Sequence, residues 1–497
     1  MKKFLFCFFV AMFAASSLLL SCSDESESLM IIPAPQDNGN TGTVFDTGYI
    51  VKADTNFIVE TINNMTKSGT IKAKGVFNSK LIKDVKSALN NLEDERPNVL
   101  VALDLSAVEG LVLADSSFSY CKNLAGIILP NDKTNMTSIG SYAFKDCRSL
   151  ASVTIPSSVT SIGGSAFSGC TSLCVNYTGT LAQWCNINFS SEIPNVKFCV
   201  QGQEIKDLII PTGLEKINSC LFTGWAGLTS VTIPNSVTSI GGSAFRGCTS
   251  LASVTIPSSV TSIGDEAFYG CKNLSVNYAG TLAQWCNIDF SSTIPNEKFC
   301  VQGQEIKYLV IPAGLEKINS KTFAGCTGLT SVTIPSSVTS IGDGAFGGCT
   351  SLASVTIPNS VTSIGSSAFY GCTSLASVTI PNSVTSIGDG TFYACSKLAS
   401  VTIPGSVTSI GYRAFNGCTK LANVTIPTSV TKIYWLAFYG CTSLADATFS
   451  DANGWYYTEN SNFTGGSAID PDRLANTATA AQYLKSTYCN YDWYKNN

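Results

Sequence analysis

Cysteine offers the most chemistry in this sequence. Twenty cysteines occur among 497 residues, and thiols can hold zinc, form disulfides or act as nucleophiles. Zinc needs clustered ligands such as C-x2-C, and no such cluster occurs. A thiol or hydroxyl nucleophile usually borrows a histidine base, and histidine is absent altogether. Most cysteines instead recur at a fixed interval: Cys349, Cys372, Cys395, Cys418 and Cys441 are spaced by 23, and Trp225 takes the same slot once. A position that accepts Cys or Trp reads as buried and apolar, where a thiol acts as a small hydrophobe. Matching positions on stacked coils would lie near ~5 Å apart, inside the ~4.4–6.8 Å disulfide window, yet they point the same way, which is poor bridging geometry. Cys185/Cys199 and Cys286/Cys300 fall outside this frame and share a spacing of 14; for them, disulfides and free thiols both stay open.

Carboxylates are the other candidates. Asp265, Glu266, Asp343 and Asp389 follow an Ile-Gly pair in a turn, and read as solvated. Glu204/Glu305 and Glu215/Glu316 recur only through a duplication. A glycosidase needs two carboxylates a set distance apart across a cleft, and no such pair stands out from this background. No enzyme, catalytic residue, metal or cofactor is expected. Lys+Arg 30 against Asp+Glu 34 gives a net charge of −4, so no basic surface points to nucleic acid. Charged residues are 13% of the chain, roughly half the ~25% of an average globular protein.

The elements that must carry these residues are set by the repeat. One unit runs from Cys349 through Leu352, Val355, Ile357-Pro358, Val361, Ile364-Gly365 and Ala368-Phe369 to Gly371. Leu352, Val355 and Ile357 have the L-x-x-L-x-L spacing of a leucine-rich-repeat strand. Alternation turns Val355 and Ile357 inward and Ser354 and Thr356 outward. Pro358 closes the strand, because it has no N–H for a ladder. Val361 to Ile364 predicts a second short strand on the opposite wall, and Ala368-Phe369 a short helical or 3₁₀ turn that drops Phe369 into the core. Asn176-Tyr177 through Trp184-Cys185 returns 101 residues later as Asn277-Tyr278 through Trp285-Cys286. Each copy belongs to a unit expanded to 32 residues, 170–201 and 271–302, and Trp184 and Trp285 read as packing residues there. No unit can bury its apolar set alone, so the units must stack. The expected fold is an α/β repeat solenoid: β-rich, leucine-rich-repeat, of about thirteen 23-residue units, with caps at both ends. At ~4.8 Å per coil it would be roughly 60 Å long.

Residues 1–21 read as a signal peptide, with Met1-Lys2-Lys3 ahead of an apolar run. Leu-x-Ser-Cys22 resembles a lipobox, which implies acylation of Cys22 and an exported protein, lipid-anchored at the outer-membrane surface. Asp24, Glu25 and Glu27 follow either as an export signal or as a solvated linker run. Residues 22–48 have tether composition, 49–105 read as an α/β cap with helices in 57–65 and 81–92 and a strand from Val99, 106–449 as the solenoid, and 450–497 as an aromatic-rich C-terminal cap.

The motif C-T-S-L-A-S-V-T-I-P-x-S-V-T-S-I-G-x-x-A-F-x-G, recurring over roughly 98–449, resembles the BspA-like leucine-rich-repeat surface proteins of bacteria. That resemblance implies a secreted or cell-surface protein, and for some members adhesion to host matrix or to other cells. The surface available for this is the outward ladder Ser152/Thr154, Ser230/Thr232, Ser253/Thr255, Ser331/Thr333, Ser354/Thr356, Ser377/Thr379, Ser400/Thr402 and Asn423/Thr425. Such hydroxyls either solubilise a β surface or bind. An extended, nearly uncharged face suits a long protein or glycan rather than a small molecule. The expected partners are therefore a matrix or cell-surface protein or glycan, with the membrane touched only through the lipid. Two other functions are expected less: carbohydrate capture by the C-terminal aromatics Trp455, Tyr456, Tyr457, Tyr483, Tyr488, Trp493 and Tyr494, and ice binding by the Ser-x-Thr rows.

Overall fold

A computed structural model describes residues 31–32, 50–54 and 57–495, apart from 131–135, 192, 194–196, 460–461 and 464. Residues 1–21, read above as a signal peptide, and Cys22 with its acidic neighbours lie outside the described residues. The chain forms a parallel β-solenoid of about 15 turns at roughly 23-residue spacing. One wall carries the strands of the Ser-Val-Thr motif, such as Ser331–Thr333, Ser354–Thr356 and Ser377–Thr379, paired in parallel. The opposite wall carries the two-residue strands Ser340–Ile341 and Ser363–Ile364, as the β-branched run predicts. Val355, Ile357, Val361 and Ile364 are buried between the walls.

The segment that returns the chain from the second wall to the first is a series of hydrogen-bonded turns rather than a helix. Within one unit, the Ala368 N–H donates to the Gly365 carbonyl at 3.3 Å. Between units, Phe369 N–H donates to the Thr391 carbonyl of the next coil at 2.9 Å. Gly342 shows why this corner needs glycine: a Cβ there would sit 2.5 Å from the Ser320 nitrogen of the preceding coil. Phe346, Phe369, Phe392, Phe415 and Phe438 stack face to face at centroid spacings of 5.2–5.6 Å. Near-parallel rings at the coil repeat line one edge of the core, at spacings that offset stacking favours.

The N-terminal cap is a β-α-β-α-β unit: strand Ile50–Asp54, helix Ile58–Asn64, strand Gly69–Val76, helix Ser79–Glu95 and strand Val101–Glu109. Its three strands are parallel and pass directly into the first repeat strand, Leu124–Ile128. The sheet edge of the first coil is therefore covered rather than exposed. Ile31–Ile32, inside the segment read as tether, pairs antiparallel with Ile50–Val51. At the other end, Trp455–Thr458 and Asp492–Lys495 form an antiparallel pair, and Asp492–Lys495 pairs with the last second-wall strand, Lys432–Ile433.

The expanded units are the main departure from a plain stack. Each contains a whole coil, with helix Leu181–Cys185 or Leu282–Cys286 in the crossing segment, followed by a hairpin. Strand Lys197–Val200 continues the parallel wall and then folds back as Gln203–Glu204. The next strand, Asp207–Ile209, starts a new sheet. Lys298–Val301, Gln304–Glu305 and Tyr308–Val310 repeat this pattern. The wall falls into four successive sheets: two of the breaks are these seams, near 201–206 and 302–307, and the third lies between Ser400–Thr402 and Asn423–Ile426.

Candidate functional site

The outward ladder is built by the two-residue alternation of each wall strand. In Ser354–Thr356 and Ser377–Thr379 the outer residues are exposed and the valine between them is buried. Parallel pairing without slip then aligns like with like. Ser377 lies opposite Ser400, and Thr379 opposite Thr402. Ser331 and Thr333 lie opposite Ser354 and Thr356, and Ser230 and Thr232 opposite Ser253 and Thr255. Asn423 and Thr425 face Asp446 and Thr448 on the last wall strand, while Ser152 and Thr154 face Cys174 and Asn176. The structure brings the sequence-derived ladder together in runs, separated by the seams and by the break after Ser400/Thr402.

These hydroxyls differ from other Ser and Thr side chains of the repeat. On the opposite wall, Thr339 Oγ1 donates to the Glu316 carbonyl at 3.0 Å and Thr362 Oγ1 to the Thr339 carbonyl at 3.2 Å. In the loop between the walls, Ser360 Oγ and Ser406 Oγ each donate to a valine carbonyl one coil back, at 2.7 Å. Those hydroxyls sew coils together. Among the described residues, the hydroxyls of Ser354, Thr356, Ser377, Thr379, Ser400 and Thr402 make no hydrogen bond to the protein. They remain available, as donors and acceptors, to a partner or to water.

Several face residues escape the motif. Asp207 and Ile209 stand outward on the first strand after one seam, and Tyr308 and Val310 after the other. Ile209, Tyr308 and Val310 are exposed by 69%, 75% and 64%, so each seam adds an apolar feature to a hydroxyl surface. Asp207 Oδ1 accepts from Ser230 Oγ at 2.6 Å and Thr229 Oγ1 at 3.1 Å. Those two bonds, Ser230's first, lower the carboxyl pKa. The signal that could have found these positions was alignment of 207–210 and 308–311 with the Ser-Val-Thr-Ile strand.

The other candidates resolve into structure. None of the 18 described cysteines is joined in a disulfide. Neither Cys185/Cys199 nor Cys286/Cys300 is bonded; Cys185 is enclosed on its helix, while Cys199 stands on the outer side of its strand, opposite Asn176. Along the ladder, the thiols of Cys349, Cys372, Cys395, Cys418 and Cys441 each donate to a phenylalanine carbonyl one coil back, at 3.2–3.3 Å. Burial pushes Cys395 and Cys441 up to about 12, so they stay protonated and unreactive near neutrality. Asp343 and Asp389 are not simply solvated: each Oδ1 accepts a backbone N–H from the next coil, Ser366 at 2.7 Å and Tyr412 at 2.8 Å. Glu266 pairs with Arg246 at 3.2 Å. No metal-holding group of three or more His, Cys, Asp or Glu occurs among the described residues.

Trp184 and Trp285 are buried, and the indole N–H of Trp285 donates to the Thr322 carbonyl at 2.9 Å. Trp225 stacks on Phe198 with centroids 3.8 Å apart, splicing the aromatic core across the first seam. The C-terminal aromatics correct one expectation. Trp455 and Trp493 are 1% exposed and line the cap core against Phe449, so neither indole face is open for a sugar to stack on.

The chain matches the model of the BspA type leucine rich repeat region in six copies, over residues 111–207, 191–284, 292–411 and 385–477. Among solved structures it is similar to a leucine-rich cell surface protein from Faecalibacterium prausnitzii, at 22% identity over 88% of this chain and 99% of that one, with a TM-score of 0.42. It is also similar to a leucine-rich repeat protein from Bacteroides ovatus, at 30% identity over 63% of this chain and 76% of that one, with a TM-score of 0.35. A third is a leucine-rich repeat protein from Eubacterium ventriosum, at 22% identity over 75% and 89%, with a TM-score of 0.38. Among curated proteins, none matches.

Proposed function

Since the chain belongs to the BspA-type leucine-rich-repeat family, we propose that it is a non-enzymatic binding scaffold at the cell surface, whose hydroxyl-lined wall engages a matrix protein or the surface of another cell. The observation that carries this reading is the row of outward Ser and Thr hydroxyls left without protein partners, beside opposite-wall threonine hydroxyls that are engaged between coils. A surface repeated every coil spreads many weak contacts over a long partner, as solenoids do. Because the wall carries few charges, specificity rests on hydrogen-bond pattern and on the apolar residues at the seams.

Attachment would come from acylation of Cys22. Among the described residues no helix is long and apolar enough to cross a membrane. Lipid on Cys22 would anchor the solenoid at ~0.8 kcal/mol per buried methylene. Protease treatment of intact cells tests the location: cleavage of the solenoid is expected, and complete protection would place it on the inner side of the outer membrane.

Binding of the purified solenoid to immobilised matrix proteins and to whole cells tests the function. Saturable binding is expected, and the triple variant Thr356→Glu/Thr379→Glu/Thr402→Glu should weaken it at least tenfold, since it puts three charges on an exposed face without touching the core. Binding that the triple variant leaves unchanged would remove the wall from the interface. No binding to any surface would remove adhesion.

A further inference from the structure

One pair of cysteines stands apart from the buried ladder. Cys174 lies on strand Cys174–Tyr177, where the preceding strand has Ser152, and Cys199 lies on the neighbouring strand Lys197–Val200. Cys174 is opposite Lys197, and Cys199 is opposite Asn176, two residues further along. Val175 and Phe198 are buried, so alternation puts both cysteines on the outer face. Each is half-buried, and the Cys174 thiol is near enough to Cys199 to act on it electrostatically. The duplication supplies an internal control: Ser275 replaces Cys174 opposite Lys298, while Cys300 keeps the position of Cys199. A single residue difference therefore creates the pair in one copy only.

We propose that Cys174 and Cys199 form a disulfide that ties the last parallel strand of the first sheet to the strand before it. Identical positions on parallel strands point the same way, whereas this diagonal offset lets the two sulfurs meet. Diagonal neighbours sit ~7–8 Å apart at Cα, so reaching the upper end of the bridging range draws the strands together by about 1 Å. Strand Lys197–Val200 carries only the two-residue strand Gln203–Glu204 on its far edge, so that side offers little resistance to the shift, while Phe198, stacked on Trp225, holds its inner face.

The oxidant is a small external disulfide. The Cys174 thiolate attacks one of its sulfurs, breaking the S–S bond and releasing one thiol. The Cys199 thiolate then attacks the Cys174 sulfur of the mixed disulfide and displaces the second. Two protein thiols lose two electrons and two protons, and the external disulfide becomes two thiols. Burial, with Cys174 and Glu204 adding to it, pushes the Cys199 thiol up to about 11. Little Cys199 thiolate is present near neutrality, so the closing step is slow and the bond serves as a staple rather than a rapid switch.

Peptide mapping after equilibration with oxidised glutathione tests this. Trypsin releases 198–206 and 299–307 with one and the same sequence, so the measurement uses the Cys300→Ser background. The expected result is 198–206 joined to 149–197, lost in Cys174→Ser and kept in Cys185→Ser. Cys174→Ser reproduces the residue that the second copy already folds with. Fragment 198–206 recovered as a free thiol or carrying glutathione would overturn the proposal, as would a joined fragment that survives Cys174→Ser.

Discussion

At the scale of single residues, the solenoid is held by side chains that meet their own equivalents one coil away. Phe369 is stacked between Phe346 at 5.5 Å and Phe392 at 5.6 Å. Phe369→Ala is expected to cost about 3–5 kcal/mol, read as a lower denaturant midpoint, with hydrogen-exchange protection falling first in the coils at 346 and 392. The cysteine ladder adds a pH dependence. Folded Cys395 titrates at about 12, against 9.0 for the ordinary thiol. The neutral thiol is therefore favoured by folding, and its contribution is complete below 9.0 and lost as pH rises toward 12. The melting temperature should hold steady from pH 7 to about 9 and then fall; a flat profile to about pH 12 would mean that the thiols are not shielded.

At the scale of elements, the repeat strands were legible because hydrophobic alternation and Pro358 mark their extent, and the cap helices because their apolar residues recur at helical spacing. The hairpins were not legible. Gln203–Glu204 and Gln304–Glu305 are too short to show alternation, and counting each expanded unit as one long coil hid the coil and the fold-back within it. The outward residues of the next strands were lost for the same reason, since Ile209, Tyr308 and Val310 do not look like Ser or Thr. The C-terminal cap was legible as aromatic, but its composition could not say which rings face inward. One of its contacts is testable: Asp451 pairs with Lys495, and this bond, with Asn453's, lowers the carboxyl to about 2. That contribution is present above 3.8, the ordinary value, and lost as pH falls toward 2. The denaturant midpoint of the cap tryptophans' near-ultraviolet dichroism should therefore fall slightly between about pH 4 and 2 in the wild type, and Asp451→Asn should show the lower midpoint already at neutral pH.

At the scale of the whole molecule, the two seams occupy equivalent places in a 101-residue duplication. Trp184 reaches toward the Leu221 carbonyl and Trp285 toward the Thr322 carbonyl, each 37 residues on. The coils downstream of either seam are thus received by the same kind of surface. Excision of 202–302, which joins Gln201 to Gly303, is expected to leave a folded, shorter solenoid with the same dichroism per residue; an aggregated or unfolded product would show that the two copies are not interchangeable. Nearest-neighbour coupling predicts this tolerance, because each coil senses only the coils beside it.

A matched pair of joints makes length a heritable variable that moves in whole cassettes. Recombination between the two copies can lengthen or trim the protein by one block without disturbing either terminus. The lineage can thereby change the span of the repeat wall while keeping the same N-terminal cap and the same end piece.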